Sequence, residues 1–411
     1  MQTQFSDFAK NLEQASEAER ILRTCVHCGF CNATCPTYLE LGNELDGPRG
    51  RIYLIKQFLE LDEAGPATQE HLDRCLSCRN CETTCPSGVE YHKLLDIGRQ
   101  ALDARVPRSP QERMLRGSLK RVLPNPGLFK LLVDAGRVLK PLLPAGLSSK
   151  LPRQVVSAGE RPQTRHERHM LILEGCVQPG LSPNTNAATA RVLDRLGISV
   201  HTVREAGCCG AVEYHLDDQQ AGLERARRNI DAWWPQLSAG AEAIIQTASG
   251  CGAFVKEYGY MLRDDPAYAE KARVVSEKAL DLVEVLARED LESIRIEDKG
   301  RTAFHCPCTL QHAQRLGGVA QQVLTRLGFN LTHVPDAHLC CGSAGTYSVT
   351  QPALSRQLRD KKLDALESGK PDRIVTANIG CQTHLDGAGR TPVRHWVELV
   401  DEGLRSQSRI G

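Results

Sequence analysis

The sequence predicts a multidomain α+β protein, with an N-terminal helical domain around two cysteine loops and then two tandem α/β repeats. Three observations predict it. The string CVHCGFCNATCP (Cys25 to Pro36) returns as CLSCRNCETTCP (Cys75 to Pro86), with the same C-x2-C-x2-C-x3-C-P spacing. The 411 residues, enough for roughly two or three cores, include 17 cysteines. The C-terminal part repeats itself at an offset of about 130 residues, so one supersecondary unit is used twice.

The first segment, residues 1–106, reads as helix around loops. EQASEAERILR precedes the first loop. Between the loops, Pro48 and Gly50 punctuate LDGPRGRIYLIKQFLEL, after which Ile52, Ile55, Phe58 and Leu59 recur at helical intervals. After the second loop, Leu94, Leu95, Ile97 and Leu102 mark another helix face.

Residues 107–168 form a connecting arm. Pro107, Pro110, Pro124, Pro126, Pro141, Pro144, Pro152 and Pro162 punctuate it, so no long regular elements are expected beyond one short amphipathic helix at LFKLLVDAGRVLK. The arm is basic: Lys120, Arg121, Lys130, Arg137, Lys140, Lys150 and Arg153 stand against Asp134. It reads either as a strap packed on its neighbours or as a surface that docks a partner or a membrane face.

Residues 169–298 and 299–405 are the two repeats. RVLDRLGISV from Arg191 matches QVLTRLGFNL from Gln322, GCCGA from Gly207 matches LCCGS from Leu339, and IIQTASGCG from Ile244 matches IVTANIGCQ from Ile374. Each copy opens with a strand-like run (MLILEGC, TAFHC) and continues with a helix stopped at Gly197 or Gly328. A second β-rich run leads to Cys-Cys-Gly, and a helix, a third strand and a last cysteine follow. Alternating β and α elements predict a small parallel sheet in each copy.

Composition narrows the function. A net charge of +1 gives no reason to expect nucleic acid as a partner. No stretch approaches the roughly 18 apolar residues of a membrane span, and MQTQFSDFAKNLEQASEAER lacks the apolar core of a secretory signal. A cytoplasmic location is expected, compatible with a complex seated on the inner face of a membrane. In a reducing compartment the thiols are not expected to be disulfides, which leaves metal ligation as the leading reading.

The loop spacing is that of bacterial-type four-iron clusters. Three cysteines two residues apart can turn their sulfurs towards one cube, and the fourth, followed by proline, ligates the other cube. The expected ligands are therefore Cys25, Cys28, Cys31 and Cys85 for one [4Fe-4S] cluster. Cys75, Cys78, Cys81 and Cys35 serve the second. Pro36 and Pro86 lead the chain out of the loops, and His27 is read as a loop residue. Structural zinc sites more often show two separated C-x2-C pairs. Two such clusters, with every iron capped by a thiolate, suit one-electron transfer, with backbone donors near Gly29 and Gly88 tuning the potential.

The repeats contribute Cys176, Cys208, Cys209 and Cys251 in copy one and Cys306, Cys340, Cys341 and Cys381 in copy two, with Cys308 and His384 nearby. Cys176, Cys251, Cys306 and Cys381 follow the carboxyl ends of predicted strands, where parallel sheets gather ligand sites. Three readings stay open: a further iron–sulfur or zinc centre, redox-active thiols, or buried structural cysteines. Copy one has Phe254 where copy two has His384, which weakens it as a metal site.

The first segment resembles the α-helical ferredoxins. The repeats resemble the Cys-Cys-Gly domains of heterodisulfide reductase B-type subunits and of membrane-associated dehydrogenase subunits. Longer strings (CVHCGFCNATCPTY, ELDGPRGRIYLIKQ, HLDRCLSCRNCETTCPSGV, LSPNTNAATARVLDRLGISV, QTASGCGAFVKEYG, VTANIGCQTHL) resemble the iron–sulfur subunits of bacterial glycolate oxidases over nearly the whole chain. The resemblance implies an oxidoreductase subunit that is not catalytic alone and takes electrons from flavin-containing subunits oxidising glycolate to glyoxylate. It also implies a quinone or respiratory-chain acceptor at the membrane. In heterodisulfide reductase the Cys-Cys-Gly motifs hold unusual clusters with a further cysteine beyond the last, a place held here by Phe254 and His384. Subunits serving D-lactate or glycerol-3-phosphate, or a thiol–disulfide enzyme, are the alternatives. The residues agree in one respect: no G-x-G-x-x-G follows a strand, so no flavin or nicotinamide site is expected in this chain.

Overall fold

The computed structural model describes residues 1–140, 151, 155–297 and 300–407. Three helices frame the cysteine loops: α1 (Ala15–Thr24), α2 (Pro48–Leu61) and α3 (Tyr91–Asp103). Each buries the face its periodicity predicts. Ile21 and Leu22 of α1, Ile52, Ile55, Phe58 and Leu59 of α2, and Leu94, Leu95, Ile97 and Leu102 of α3 share one core. Pro48 and Gly50 fall inside the first turn of α2. A Cβ on Gly50 would stand 2.1 Å from the Glu44 carbonyl oxygen, so the turn before α2 closes onto the helix only over a glycine.

The arm has the helix expected at LFKLLVDAGRVLK and one more that was not expected. It carries two 13-residue helices, α4 (Pro110–Val122) and α5 (Pro126–Val138). Pro110 and Pro126 occupy the first turn, where a missing N–H costs nothing, and Ser109 and Asn125 cap the ends, Ser109 in a capping box with Glu112. The prolines therefore start helices here rather than forbid them. Pro141, Pro144, Lys150, Pro152 and Arg153 lie outside the described residues. One side of α4 is anchored: Arg116 pairs with Asp73 (3.0 Å) and Asp217 (2.8 Å), and Arg108 pairs with the same two carboxylates. Met114 of α4 and Leu131, Leu132 and Val138 of α5 are left exposed.

Strands β1 (Arg168–Ile172), β2 (Ile198–Thr202), β3 (Ile244–Gln246) and β4 (Ala279–Asp281) form a parallel sheet in the order β2-β1-β3-β4. Strands β5 (Thr302–His305), β6 (Arg373–Thr376) and β7 (Val393–His395) form a second parallel sheet in that order. The second β-rich run of copy two is reduced to one bridge, Thr302 to Leu331. The copies do not keep separate cores: Ile172, Ile198 and Ile245 of one pack in a single cluster with Phe304, Val375, Trp396 and Val400 of the other. Among the described residues no helix is long and apolar enough to cross a membrane.

Candidate metal centres

The two cysteine loops wind alike. His27 (φ 59°) and Gly29 (φ 85°) in the first are matched by Ser77 (φ 51°) and Arg79 (φ 60°) in the second. Left-handed backbone at three non-glycine residues is held only where surrounding structure fixes it. Here the reversals flank Cys28 in the first loop and Cys78 in the second.

Two cavities result. One, of about 390 Å³ counting space open to solvent, is lined by Cys35, Cys75, Cys78 and Cys81. Another, of about 430 Å³ on the same measure, is lined by Cys25, Cys28, Cys31 and Cys85. The grouping follows the crossed spacing: each loop sends its fourth cysteine to the other's cavity. Cys81 and Tyr91 line both, so the cavities share a wall. Burial, then the neighbouring Cys25 and Cys85, pushes the Cys31 thiol up to about 11, and burial drives Cys78 and Cys81 well above the ordinary thiol range. Such thiols give up their protons when a metal cation compensates the charge.

The first cavity also receives a cation. Arg51 is fully buried, and its Nε donates to the His71 carbonyl (2.7 Å) and its Nη2 to Thr37 Oγ1 (3.1 Å). Its Nη1 is buried with no hydrogen-bond partner, although Arg51 lines the cavity. An unsatisfied cationic donor beside four thiols fits an anionic iron–sulfide core and suits an empty apolar pocket poorly.

In the repeats, strand register decides which cysteines correspond. Leu171 of β1 faces Ile244, and Ala303 of β5 faces Ile374, the two isoleucines being repeat equivalents. Counting on from there, Leu173 matches His305, Glu174 matches Cys306 and Cys176 matches Cys308. The sequence grouping of Cys306 with Cys340, Cys341 and Cys381 is thereby corrected. Cys308 Sγ lies 3.8 Å from Cys340 Sγ, and sulfur contacts continue from Cys340 to Cys341 to Cys381. Cys306 is buried in the apolar core shared by the repeats. Copy one shows the same chain, Cys176 to Cys208 to Cys209 to Cys251. Within it, hydrogen bonds from Cys176 and Cys209 hold the Cys208 thiol well below its ordinary range.

The glycine of each motif has a mechanical task. Gly210 (φ +98°) and Gly342 (φ +83°) are left-handed, and an added Cβ would lie 2.5 Å from the Gly222 carbonyl oxygen or 2.6 Å from that of Ser355. The following helix can press onto the thiol pair only over a glycine.

The site also contains a residue that sequence reading missed. His305, Cys341 and Cys381 place their ligand atoms within 4.8 Å of one another. Burial depresses the His305 imidazole to about 3. No motif announces a lone histidine closing a strand. His384 instead lies with Nε2 3.2 Å from Ser355 Oγ, and Phe254 packs edge-on against Tyr214 and Tyr258.

The cluster domain docks on both repeats. Asn80 Nδ2 donates to the carbonyls of Thr34 (2.9 Å) and His338 (3.1 Å), and Thr83 Oγ1 lies 3.0 Å from His312 Nδ1. Arg79 Nη2 reaches Glu257 Oε2 at 2.8 Å. Cys28 is exposed, and beside it Val26 (68%) and Phe30 (63%) point into solvent.

Comparison with known proteins agrees with this geometry. A 4Fe-4S dicluster domain family matches residues 21–89, and a cysteine-rich domain family matches residues 170–256 and 302–386. The chain is 65% identical over 407 residues to the glycolate oxidase iron–sulfur subunit of Escherichia coli K12, covering 99% of this chain and 100% of that one. It is 30% identical to a probable glycolate oxidase iron–sulfur subunit of Bacillus subtilis, covering 90% and 89%. Lactate utilization protein A of Geobacillus thermodenitrificans is 30% identical over 53% of this chain and 92% of that protein.

Proposed function

The chain belongs to the family of glycolate oxidase iron–sulfur subunits, and from that membership we propose that it carries electrons away from a flavin-containing partner that oxidises glycolate to glyoxylate. Cys25, Cys28, Cys31 and Cys85 hold one [4Fe-4S] cluster; Cys75, Cys78, Cys81 and Cys35 hold the other. Such clusters supply one-electron transfer and leave no open position for substrate. The observation that carries the reading is the wall shared by the two thiol cavities, Cys81 with Tyr91, which sets two redox centres side by side.

The chain's own residues give the conduit its ends. Around exposed Cys28, the solvent-facing Val26 and Phe30 offer an apolar rim for a partner. Cys78, in contrast, is buried beneath the second repeat. Arg51 and Arg99 bring buried positive charge beside Cys75, Arg99 Nη2 donating to its carbonyl (3.0 Å). Such charge favours the reduced, more anionic state of a cluster held there. The acceptor is a quinone or other respiratory-chain component, with the complex peripheral on the cytoplasmic face of the membrane.

The test is co-expression. The purified chain alone has no glycolate turnover and gains it with its flavin subunits; turnover by the single chain would defeat the proposal. The likeness to lactate utilization protein A favours lactate as the competing substrate. Growth complementation on glycolate and on lactate separates the two.

A further inference from the structure

We propose that the second repeat holds a single zinc-class ion on His305, Cys341 and Cys381, with His305 as the ligand that distinguishes it from the first repeat. The three ligand atoms already lie within 4.8 Å of one another. Tetrahedral coordination with metal–sulfur bonds of about 2.3 Å and metal–nitrogen bonds of about 2.0 Å sets ligand atoms roughly 3.5–3.8 Å apart. Only a small inward movement is required. A cube of iron and sulfide would place irons and sulfides between the thiolates and hold them farther apart.

The imidazole itself points to a ligand. His305 is 2% exposed, and neither Nδ1 nor Nε2 has a hydrogen-bond partner. Leaving a buried polar group unpaired costs about 1–3 kcal/mol, and in copy one the equivalent place is filled by Leu173, which packs at no such cost. The fold therefore bears a polar ring where an apolar one would serve. Coordination satisfies one of its nitrogens.

The surroundings prepare the thiols. Asn378 Nδ2 donates to Cys381 Sγ at 3.4 Å, and hydrogen-bond donors of this kind orient the ligands of metal sites. Buried Lys362 sits close enough for its charge to be felt by Cys340 and Cys341, its Nζ donating to the Asp336 carbonyl at 2.8 Å. Ala303, Leu363, Ile374 and Leu385 exclude water around the two cysteines. One imidazole with thiolates is a borderline-soft donor set that suits zinc. Cys340, hydrogen-bonded to Cys341, can supply the fourth position. Binding releases one proton from each thiol that coordinates.

The test uses the full chain, purified anaerobically, with iron, sulfide and zinc analysis and X-ray absorption at the zinc edge. The expected result is one zinc per chain in a mixed nitrogen–sulfur shell, beside the iron of the N-terminal clusters. In H305L the nitrogen shell disappears and zinc affinity falls by more than the roughly 100-fold typical of a lost supporting residue, while iron content and visible spectrum stay unchanged. If H305L does not fold, the wild-type shell decides alone. An all-sulfur shell, or iron and sulfide beyond two clusters with no zinc, would overturn the proposal. Neither outcome bears on the electron-transfer reading, which rests on the N-terminal cysteines.

Discussion

Cys78 of the second cysteine loop and Cys340 of the second Cys-Cys-Gly motif lie in one buried apolar cluster, walled by Leu76, Tyr347, Leu354 and Leu358. The more deeply set cluster cavity is thus roofed by the repeat rather than by solvent. Tyr347 is the keystone, 5% exposed with its hydroxyl donating to the Arg74 carbonyl at 3.2 Å. Truncating such an aromatic leaves a cavity worth about 3–5 kcal/mol; removing only the hydroxyl costs about 1 kcal/mol. Y347A should therefore unfold at markedly lower denaturant than Y347F and release iron to a chelator faster. Equal chelation rates in the two variants would mean that the roof does not protect the cavity.

Exposure differs between the two cavities. Cys28 is exposed, whereas Cys78 and Cys81 are buried. Oxidants attack accessible thiolate ligands first. Titrating the reduced protein with peroxide should then remove iron in two stages, the cluster on Cys25, Cys28, Cys31 and Cys85 going first. Electron paramagnetic resonance during the titration distinguishes staged from simultaneous loss.

The Cys-Cys-Gly glycines should be intolerant of alanine. A left-handed non-glycine residue costs about 1–3 kcal/mol, and at Gly342 the added carbon would also meet the Ser355 carbonyl at 2.6 Å. G342A should destabilise by at least about 2 kcal/mol in denaturant unfolding. G117A, inside α4 with nothing within 4 Å of the new carbon, should stabilise by about 0.5–1 kcal/mol.

How much of this was legible beforehand depends on range. Core faces of α2 and α3, and the gathering of the loop thiols around two cavities, follow from local spacing, because a helix repeats every 3.6 residues and a loop of fixed length can reach only so far. Of the arm helices, α5 was legible in the amphipathic run LFKLLVDAGRVLK, whereas α4 was not, since a proline at a helix start and one that breaks a helix look alike until the Ser109 cap is weighed. Confusion of Cys306 with Cys308 has another cause. Two cysteines one residue apart at a strand end can be assigned only from the pairing partner, and that register lives in β6. His305 became visible only when the fold brought Cys341 and Cys381 to it.

Asp281 predicts a pH dependence. It caps the helix Leu282–Ala287 through Val283 N–H (3.1 Å) but is 2% exposed. Burial, opposed by that hydrogen bond and assisted by the Glu284 carboxylate, raises it to about 7, with Lys256 pulling the other way. A carboxyl raised above its unfolded value of 3.8 favours the fold at low pH and loses that contribution as pH climbs to about 7. Asparagine keeps the cap without the titration. D281N should thus be more stable than the parent at about pH 8, by a few kcal/mol at most, with the difference vanishing near pH 4. A constant difference across that range would remove Asp281 from the account.

The docking of the cluster domain on the first repeat turns on Glu257. Its carboxylate receives Arg79 at 2.8 Å and stands 3.3 Å from His92 Nε2, while His92 Nδ1 lies 2.7 Å from Glu82. Arg79 and His92 hold Glu257 well below the usual carboxylate range, against the opposing effect of its burial. Breaking a fully buried pair from one side costs about 3–5 kcal/mol, and the 23% exposure of the Glu257 side chain lowers that to roughly 1–3 kcal/mol. E257Q should therefore destabilise, because it strands Arg79, whereas His92 keeps Glu82. Replacing both Arg79 and Glu257 with methionine should cost less than E257Q alone, since an ion pair removed whole leaves no uncompensated charge. Denaturant unfolding of the three proteins checks the order, and a double variant weaker than E257Q would show that the charges, and not merely their balance, hold the two parts together.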